Sequence, residues 1–480
     1  MLVPLGVVNP LMARLWVIGL LLCGLMLLLG IGSHYQSADT VIYSALGTMV
    51  VLMVAGVVWF ALLWAIPQAL NTQGITNTAK NTKRVIGFII LVGFVLRLIM
   101  LPSDPILEID YFRYLWDGIV VSNGLNPYAV SPYAAIDGTD VPSLWHVLAQ
   151  NHKDIVESIN YAPLRTIYPP VAQFFFWLAV VIPSNFDLLI LRLVLILCEF
   201  VTVLFLISLL KHANQSPAWV ALYWWNPLII KELINSAHMD AILLPFLVGA
   251  VLLAVRNRFY LSSVALVCAI GVKIWPILLA PLLFLKLPFK RLLIVGFISL
   301  LLLALMAWPI IDGRLDRSSG FVAYAALWAR NEAIFSLLEN TLTWLLDLGG
   351  LDLLDPGRLA RFVVALSVGS LALLLAFRSW QGPNALVHGV VLIAAALFLT
   401  SATGYPWYYA WILPFLVLVQ LRSLMLLTVL LPFYYLRFYM VEIDQVYVFD
   451  TYIVWLEFGP VLLLLGWELL RKKPMQKLPA

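Results

Sequence analysis

Charge is what this sequence has least of. Only 11% of its 480 residues are Asp, Glu, Lys or Arg, against roughly 25% in a soluble domain. A chain so poor in charge cannot cover a water-facing surface, which excludes a soluble globular fold. The net charge of +4 is too small for a nucleic-acid groove. The basic residues lie in short clusters, Lys80 with Lys83 and Arg84, Lys290 with Arg291, and Arg471 with Lys472 and Lys473, as membrane topology requires. Cysteine is scarce too. Cys23, Cys198 and Cys268 each sit in an apolar run, without metal-ligand spacing and with no means of forming a disulfide framework. Internal repeats and low-complexity tracts are missing. What is abundant is apolar residues, 63% of the chain, giving a mean hydropathy of +0.98. The reading is an all-α, polytopic transmembrane helical bundle.

A span takes about 20 apolar residues, fewer where helices are broken or buried in protein. Runs of sufficient length cover 11–31, 44–66, 85–101, 187–210, 240–255, 292–311, 359–377, 384–400 and 452–470. Shorter ones cover 217–230, 259–272, 275–287, 409–420 and 423–438, for about 14 spans. The first run is read as an uncleaved span and not a signal peptide, because a single basic residue, Arg14, precedes it and further spans follow. Placing the basic connections in the cytoplasm leaves the long segment 102–186 outside. The run 168–183 is short and flanked by prolines, and is expected to enter and leave on the outer side, with both termini cytoplasmic. Three regions follow: N-terminal spans and a basic loop over 1–84, a core over 85–290, and a C-terminal bundle over 291–480.

Segment 102–186 carries the chemistry. Glu108, Asp110 and Asp117 follow directly on a span, and acids so close to the hydrocarbon boundary are functional candidates. On a helix starting near Asp110, the positions Asp110, Arg113 or Tyr114, and Asp117 share one face. The alternative is a solvated loop in which Asp110 only caps a helix. Arg97 and Arg192 each lie about one turn inside the outer end of a span, and Lys273 sits at an outer break between two short helices. Snorkelling accounts for each cation alone; together they make a cationic cup suited to a lipid-linked phosphate or diphosphate. The connection after Asn226-Pro227 adds Lys231, Glu232, His238 and Asp240. His238 and Asp240, two apart, are a weak signal for a divalent metal ion.

These residues, in this order, resemble the GT-C superfamily of membrane glycosyltransferases, which use polyprenyl-phosphate sugars as donors. Glu108-Ile109-Asp110-Tyr111 looks like the Asp-x-Asp-Tyr of the enzyme that adds the first mannose to glycosylphosphatidylinositol, with Glu in place of the first Asp. Asp110-x-x-Arg113-Tyr114 is similar to an Asp-Glu-x-Arg-Tyr element of bacterial aminoarabinose transferases. Gly124-Leu125-Asn126-Pro127-Tyr128 matches a Gly-x-x-Pro-Tyr element, and Tyr168-Pro169-Pro170 a Tyr/His-Pro-Pro element that closes such loops. Asn226-Pro227-Leu228 and His238-Met239-Asp240 resemble a further outer connection of bacterial members. The resemblance covers roughly 85–290; the C-terminal spans show no assignable motif.

The resemblance implies an inverting transfer of a mannose-like hexose or a pentose from a polyprenyl-phosphate donor to a glycan, lipid or protein acceptor. The active site would lie on the extracytoplasmic face of a bacterial inner membrane. One carboxylate suffices as general base on the acceptor hydroxyl; Asp110 is expected in that role, with Glu108 orienting the acceptor. The phosphate leaving group needs only cations, for which Arg97, Arg113, Arg192 and Lys273 are candidates. Trp116, Asp117, Tyr128, Tyr168, His238 and Asp240 are candidates for holding sugar or acceptor. Tyr405, Trp407 and Tyr408 either stack on sugar faces or form an interfacial belt. Two other classes compete, a polyprenol-lipid flippase, which would carry charges near the midplane and paired broken helices, and a non-catalytic membrane subunit, which has no need of Asp110.

Overall fold

The computed structural model describes residues 10–34, 41–72, 79–182, 186–351, 353–378 and 382–471. Lys472 and Lys473 of the basic tail, and Pro183 and Ser184 at the end of the run expected to re-enter, lie outside them. Among the described residues regular structure is helical, with one isolated bridge between Arg330 and Thr403.

Among the described residues eight helices are long and apolar enough to cross a membrane, or nine if Pro227–Asn235 and Asp240–Val255, bent by 120°, make one span. The expected count of about 14 is not confirmed, because several of the expected runs form short or broken helices and Ala79–Met100, 22 residues long, carries four cations. The run 217–230 breaks into Pro217–Val220, Ala221–Trp224 and Pro227–Ile230. Phe259–Ile270 has 12 residues, a rise of about 18 Å against a hydrocarbon core of about 30 Å. The run 409–420 splits between Pro406–Trp411 and Leu413–Val419. Pro170–Val180, in the run expected to re-enter, has 11 residues, too few to cross unaided. Where such pieces are buried in protein, as at Ala221–Trp224, a broken helix is tolerated.

The chain divides into two compact units. The first comprises Met1–Ile106, Leu206–Lys231 and Leu416–Ala480. Its interior is tied by indoles: Trp59 donates to the Leu222 carbonyl at 3.1 Å, Trp224 to Ile90 at 3.1 Å and Trp225 to Ile89 at 2.8 Å. Gly93 is required here, since a Cβ would stand 2.0 Å from the Trp224 ring. Asn226 caps the next turn through Ile229 N and donates to Thr428 at 2.8 Å, which gives the Asn-Pro element a structural task.

The second unit comprises Leu107–Phe205 and Glu232–Phe415. Its acidic helix Tyr111–Ser122 packs on Pro170–Val180 at Gly118, where a Cβ would lie 2.4 Å from the Phe176 carbonyl oxygen. That helix is stopped by Gly124, at φ 69°, with Leu125 N returning to the Val120 carbonyl at 3.1 Å, a glycine stop. Asn126 then accepts from Tyr128 N and donates to the Pro309 carbonyl. The Gly-x-x-Pro-Tyr element is thus a helix stop followed by an anchor onto Phe289–Asp312. The helices Asp240–Val255 and Phe259–Ile270 form a hairpin, closed by Asn257 at φ 58° and by Ser262 donating to the Ala250 carbonyl at 2.8 Å.

Candidate functional site

Asp110 stands at the start of the acidic helix and does not cap it. Its backbone is already helical, φ −59° and ψ −25°, and its side chain makes no cap hydrogen bond. The carboxylate is half-buried, and among the described residues it has no hydrogen bond and no ion pair. Glu108, two residues earlier, is buried, and Leu107 before it turns through φ 58°.

The rest of the acidic face is clamped shut. Asp117 is 1% exposed; it accepts from Arg113 at 3.0 Å and from Gln173 at 3.0 Å. Arg113 donates also to the Leu164 carbonyl at 3.0 Å. A buried carboxylate so satisfied holds the helix against the strand of chain at 164–168. Gln173 reaches the Tyr168 carbonyl as well, which Tyr128 meets with its hydroxyl at 2.7 Å. Arg165, through Asp316 at 2.7 Å and the Arg314 carbonyl, ties the same stretch to the loop after Phe289–Asp312.

Aromatic rings and one cation lie within electrostatic reach of Asp110. Tyr114 stacks on Phe176 with centroids 4.7 Å apart and meets Tyr168 edge-on at 5.1 Å. Burial raises both phenols well above their ordinary value, and the Asp110 charge adds to the rise; they remain neutral hydroxyls at physiological pH. Val171 N and Ala172 N, opening the second helix, donate to the Gly271 carbonyl at 2.9 and 3.2 Å, which brings the break at Lys273 to the same place. The Lys273 ammonium pairs with Asp240 at 2.9 Å and lies 4.0 Å over the Tyr408 ring. Desolvation lowers the Lys273 pKa, and Asp240 and then Asp110 offset part of that. Asp240, 1% exposed, also accepts from the Trp411 indole at 2.6 Å.

The other sequence candidates are placed as follows. Arg97 lies inside the first unit, donates to the Gly93 and Trp224 carbonyls at 3.0 and 2.8 Å, and stacks over Trp224 at 3.3 Å. Arg192 is buried and donates to the Asn235 carbonyl. Trp116 is 1% exposed, within the packing of the acidic helix. His238 is fully buried, 3.4 Å from Glu232, and stacks on Trp407 at 3.9 Å. Among the described residues no three His, Cys, Asp or Glu side chains gather to hold a metal ion, and Asp240 is committed to Lys273 and Trp411.

Three contributors carried no sequence motif. Trp411 holds Asp240; Tyr324 joins Tyr408 and Thr403 through its hydroxyl at 3.0 Å each; Gln173 completes Asp117. Trp407 and Tyr408 are 6% and 7% exposed, so they line the interior and are not a lipid-facing belt. The one available signal was the aromatic density of 405–411.

A family model described as "Alpha-(1->6)-mannopyranosyltransferase, N-terminal domain" matches residues 16–288, more than half of the chain. Alpha-(1->6)-mannopyranosyltransferase A of Mycobacterium tuberculosis is 25% identical over 181 residues, which is 36% of this chain and 32% of that protein. The matched stretch therefore spans about a third of that relative's length. No solved structure matches the chain significantly.

Proposed function

The chain belongs to the alpha-(1->6)-mannopyranosyltransferase family, and on that premise we propose that it moves mannose from a polyprenyl-phosphate donor to a glycan acceptor at the outer membrane face. The observation that carries this reading is Asp110: a half-buried carboxylate with no hydrogen bond or ion pair among the described residues, beside two neutral tyrosines and within electrostatic reach of Lys273. Asp117, the acid within the helix that follows, is already bound by Arg113 and Gln173. A carboxylate kept without partners is what a general base requires.

In the proposed reaction the acceptor hydroxyl attacks the anomeric carbon as Asp110 takes its proton. The bond from that carbon to the phosphate oxygen breaks on the opposite side, inverting the centre, and the polyprenyl phosphate departs with the electron pair. A phosphate monoester is a good enough leaving group to need no general acid. Lys273, in a desolvated aromatic surround, is suited to neutralise the developing charge, with Asp240 as its counter-ion when no donor is bound. Glu108 is suited to orient the acceptor. The bonds that Arg97 and Arg113 already make favour Lys273 over them for the phosphate.

Deleting the gene and analysing envelope glycans and lipid-linked sugars by mass spectrometry tests the reading. Loss of α-1,6-linked mannose, restored by the wild-type gene, is expected. Unchanged glycans with an accumulated or mislocalised lipid carrier would point instead to a flippase.

A further inference from the structure

Trp275, two residues after Lys273, opens the short helix Trp275–Leu279. Its indole nitrogen is shut off from solvent and makes no hydrogen bond among the described residues. The indoles of Trp59, Trp224, Trp225 and Trp411, by contrast, each reach an oxygen, at 2.6–3.1 Å. An indole N–H can only donate, and a buried donor left unpaired is costly. Ile274 is 55% exposed, while Lys273 and Trp275 on either side of it turn toward the Trp411 ring. The Lys273 ammonium lies 5.1 Å from that ring's centroid, and the Trp275 ring stacks on it at 5.2 Å and 28°. Trp411 is itself buried and anchored on Asp240. An ammonium and an orphan N–H thus flank one fixed ring.

From this geometry we infer that Trp275 is a second ligand of the donor phosphate, its indole N–H donating to one non-bridging oxygen while Lys273 meets the other. The inference rests on the proposed transferase reading and names a residue that orients the lipid-linked phosphate. The N–H calls for an acceptor oxygen, and the ammonium beside the same ring favours one that carries negative charge. In the proposed reaction that group is the phosphate. The two donors do different things. An ammonium is a point charge without a preferred direction. An N–H donates along one axis, so it fixes the rotation of the phosphate and with it the direction of the bond to the anomeric carbon. A donor so held presents that carbon to the attacking hydroxyl in one orientation. When the bond breaks, the N–H and the ammonium both face the charge gained by the departing phosphate. Trp275 transfers no proton.

The test uses the purified full-length protein in detergent, with farnesyl phosphate as the probe. Trp275→Phe keeps a ring against Trp411 and removes the N–H. Benzothienylalanine at the same position keeps the indole shape and puts sulfur in place of the N–H, so it serves if Trp275→Phe does not fold; melting curves tell which variants are folded. Each folded variant should bind farnesyl phosphate about tenfold more weakly by calorimetry. Each should raise the donor KM by a similar factor and leave the acceptor KM unchanged. In wild type labelled with ¹⁵N at the indole nitrogens, the N–H resonance missing from the variants should move downfield with farnesyl phosphate and stay in place with farnesol. A ring with only a packing role gives no such shift. The inference is overturned if wild type does not bind farnesyl phosphate, if the folded variants bind it as wild type does, or if farnesol moves the resonance equally. An equal response to inorganic phosphate at the same concentration would make this a free-phosphate site and overturn it too. Any of these results in a protein that transfers mannose sinks the inference alone. The phosphate-specific shift in a protein that transfers no mannose sinks the transferase reading and leaves the phosphate ligand standing.

Discussion

Glu108 and Asp110 lie two positions apart, yet their surroundings separate their roles. Glu108 is buried behind a left-handed turn; Asp110 has a carboxylate open to the site. Glu108→Gln should therefore slow transfer less than removing the Asp110 charge does, and rescue of Asp110→Asn by nothing short of a carboxylate would agree with this. Lys273 is the cation whose loss should be felt by the donor. Lys273→Ala removes a charge-assisted contact worth about 1.5–3 kcal/mol, or one to two decades in donor affinity. Arg97→Ala should instead lower thermal stability, since it releases two buried carbonyls of the first unit. If Lys273→Ala leaves the donor dependence intact and Arg97→Ala abolishes it, the phosphate has been assigned to the wrong cation.

The paired helices Tyr111–Ser122 and Pro170–Val180 hold the site. Arg113→Leu would strand the buried Asp117 charge, at about 3–5 kcal/mol. The variant should unfold at lower temperature in detergent and show little donor-specific defect. A normal melting curve with a raised donor KM would make Arg113 a phosphate ligand instead. Gly118→Val should prevent the pair from closing, because its Cβ would collide with a backbone carbonyl; recovery of wild-type protein yield and activity would contradict the packing. The acidic face was legible in the sequence, because a helical repeat puts 110, 113 or 114, and 117 together. Which acid stays open was not. Asp117 is silenced by Gln173, 56 residues away, and no local pattern carries that pairing. Tyr405, Trp407 and Tyr408 were legible as aromatic candidates, but the hold of Trp411 on Asp240, 171 residues away, was hidden for the same reason. The count of about 14 spans is unconfirmed for a different reason: an apolar run buried against protein reads like one facing lipid until its helix is seen to break.

For the whole molecule, sidedness decides whether the site meets outer-face substrates. In a background lacking Cys23, Cys198 and Cys268, cysteines placed at Asn151 and at Ile182 bracket Pro170–Val180. Both should react with an impermeant thiol reagent applied outside intact cells. Labelling of one only after permeabilisation would mean that the segment crosses and the later loops exchange sides. The account as a whole stands on the chemistry of Asp110. The most direct measurement is the initial rate of mannose transfer from a polyprenyl-phosphate donor to an α-1,6-mannoside by purified wild type and Asp110→Asn, once the wild-type rate is established. General-base catalysis contributes about 10²–10⁴-fold, so the variant should slow by that factor with its melting temperature preserved. Transfer by Asp110→Asn at the wild-type rate would contradict the account.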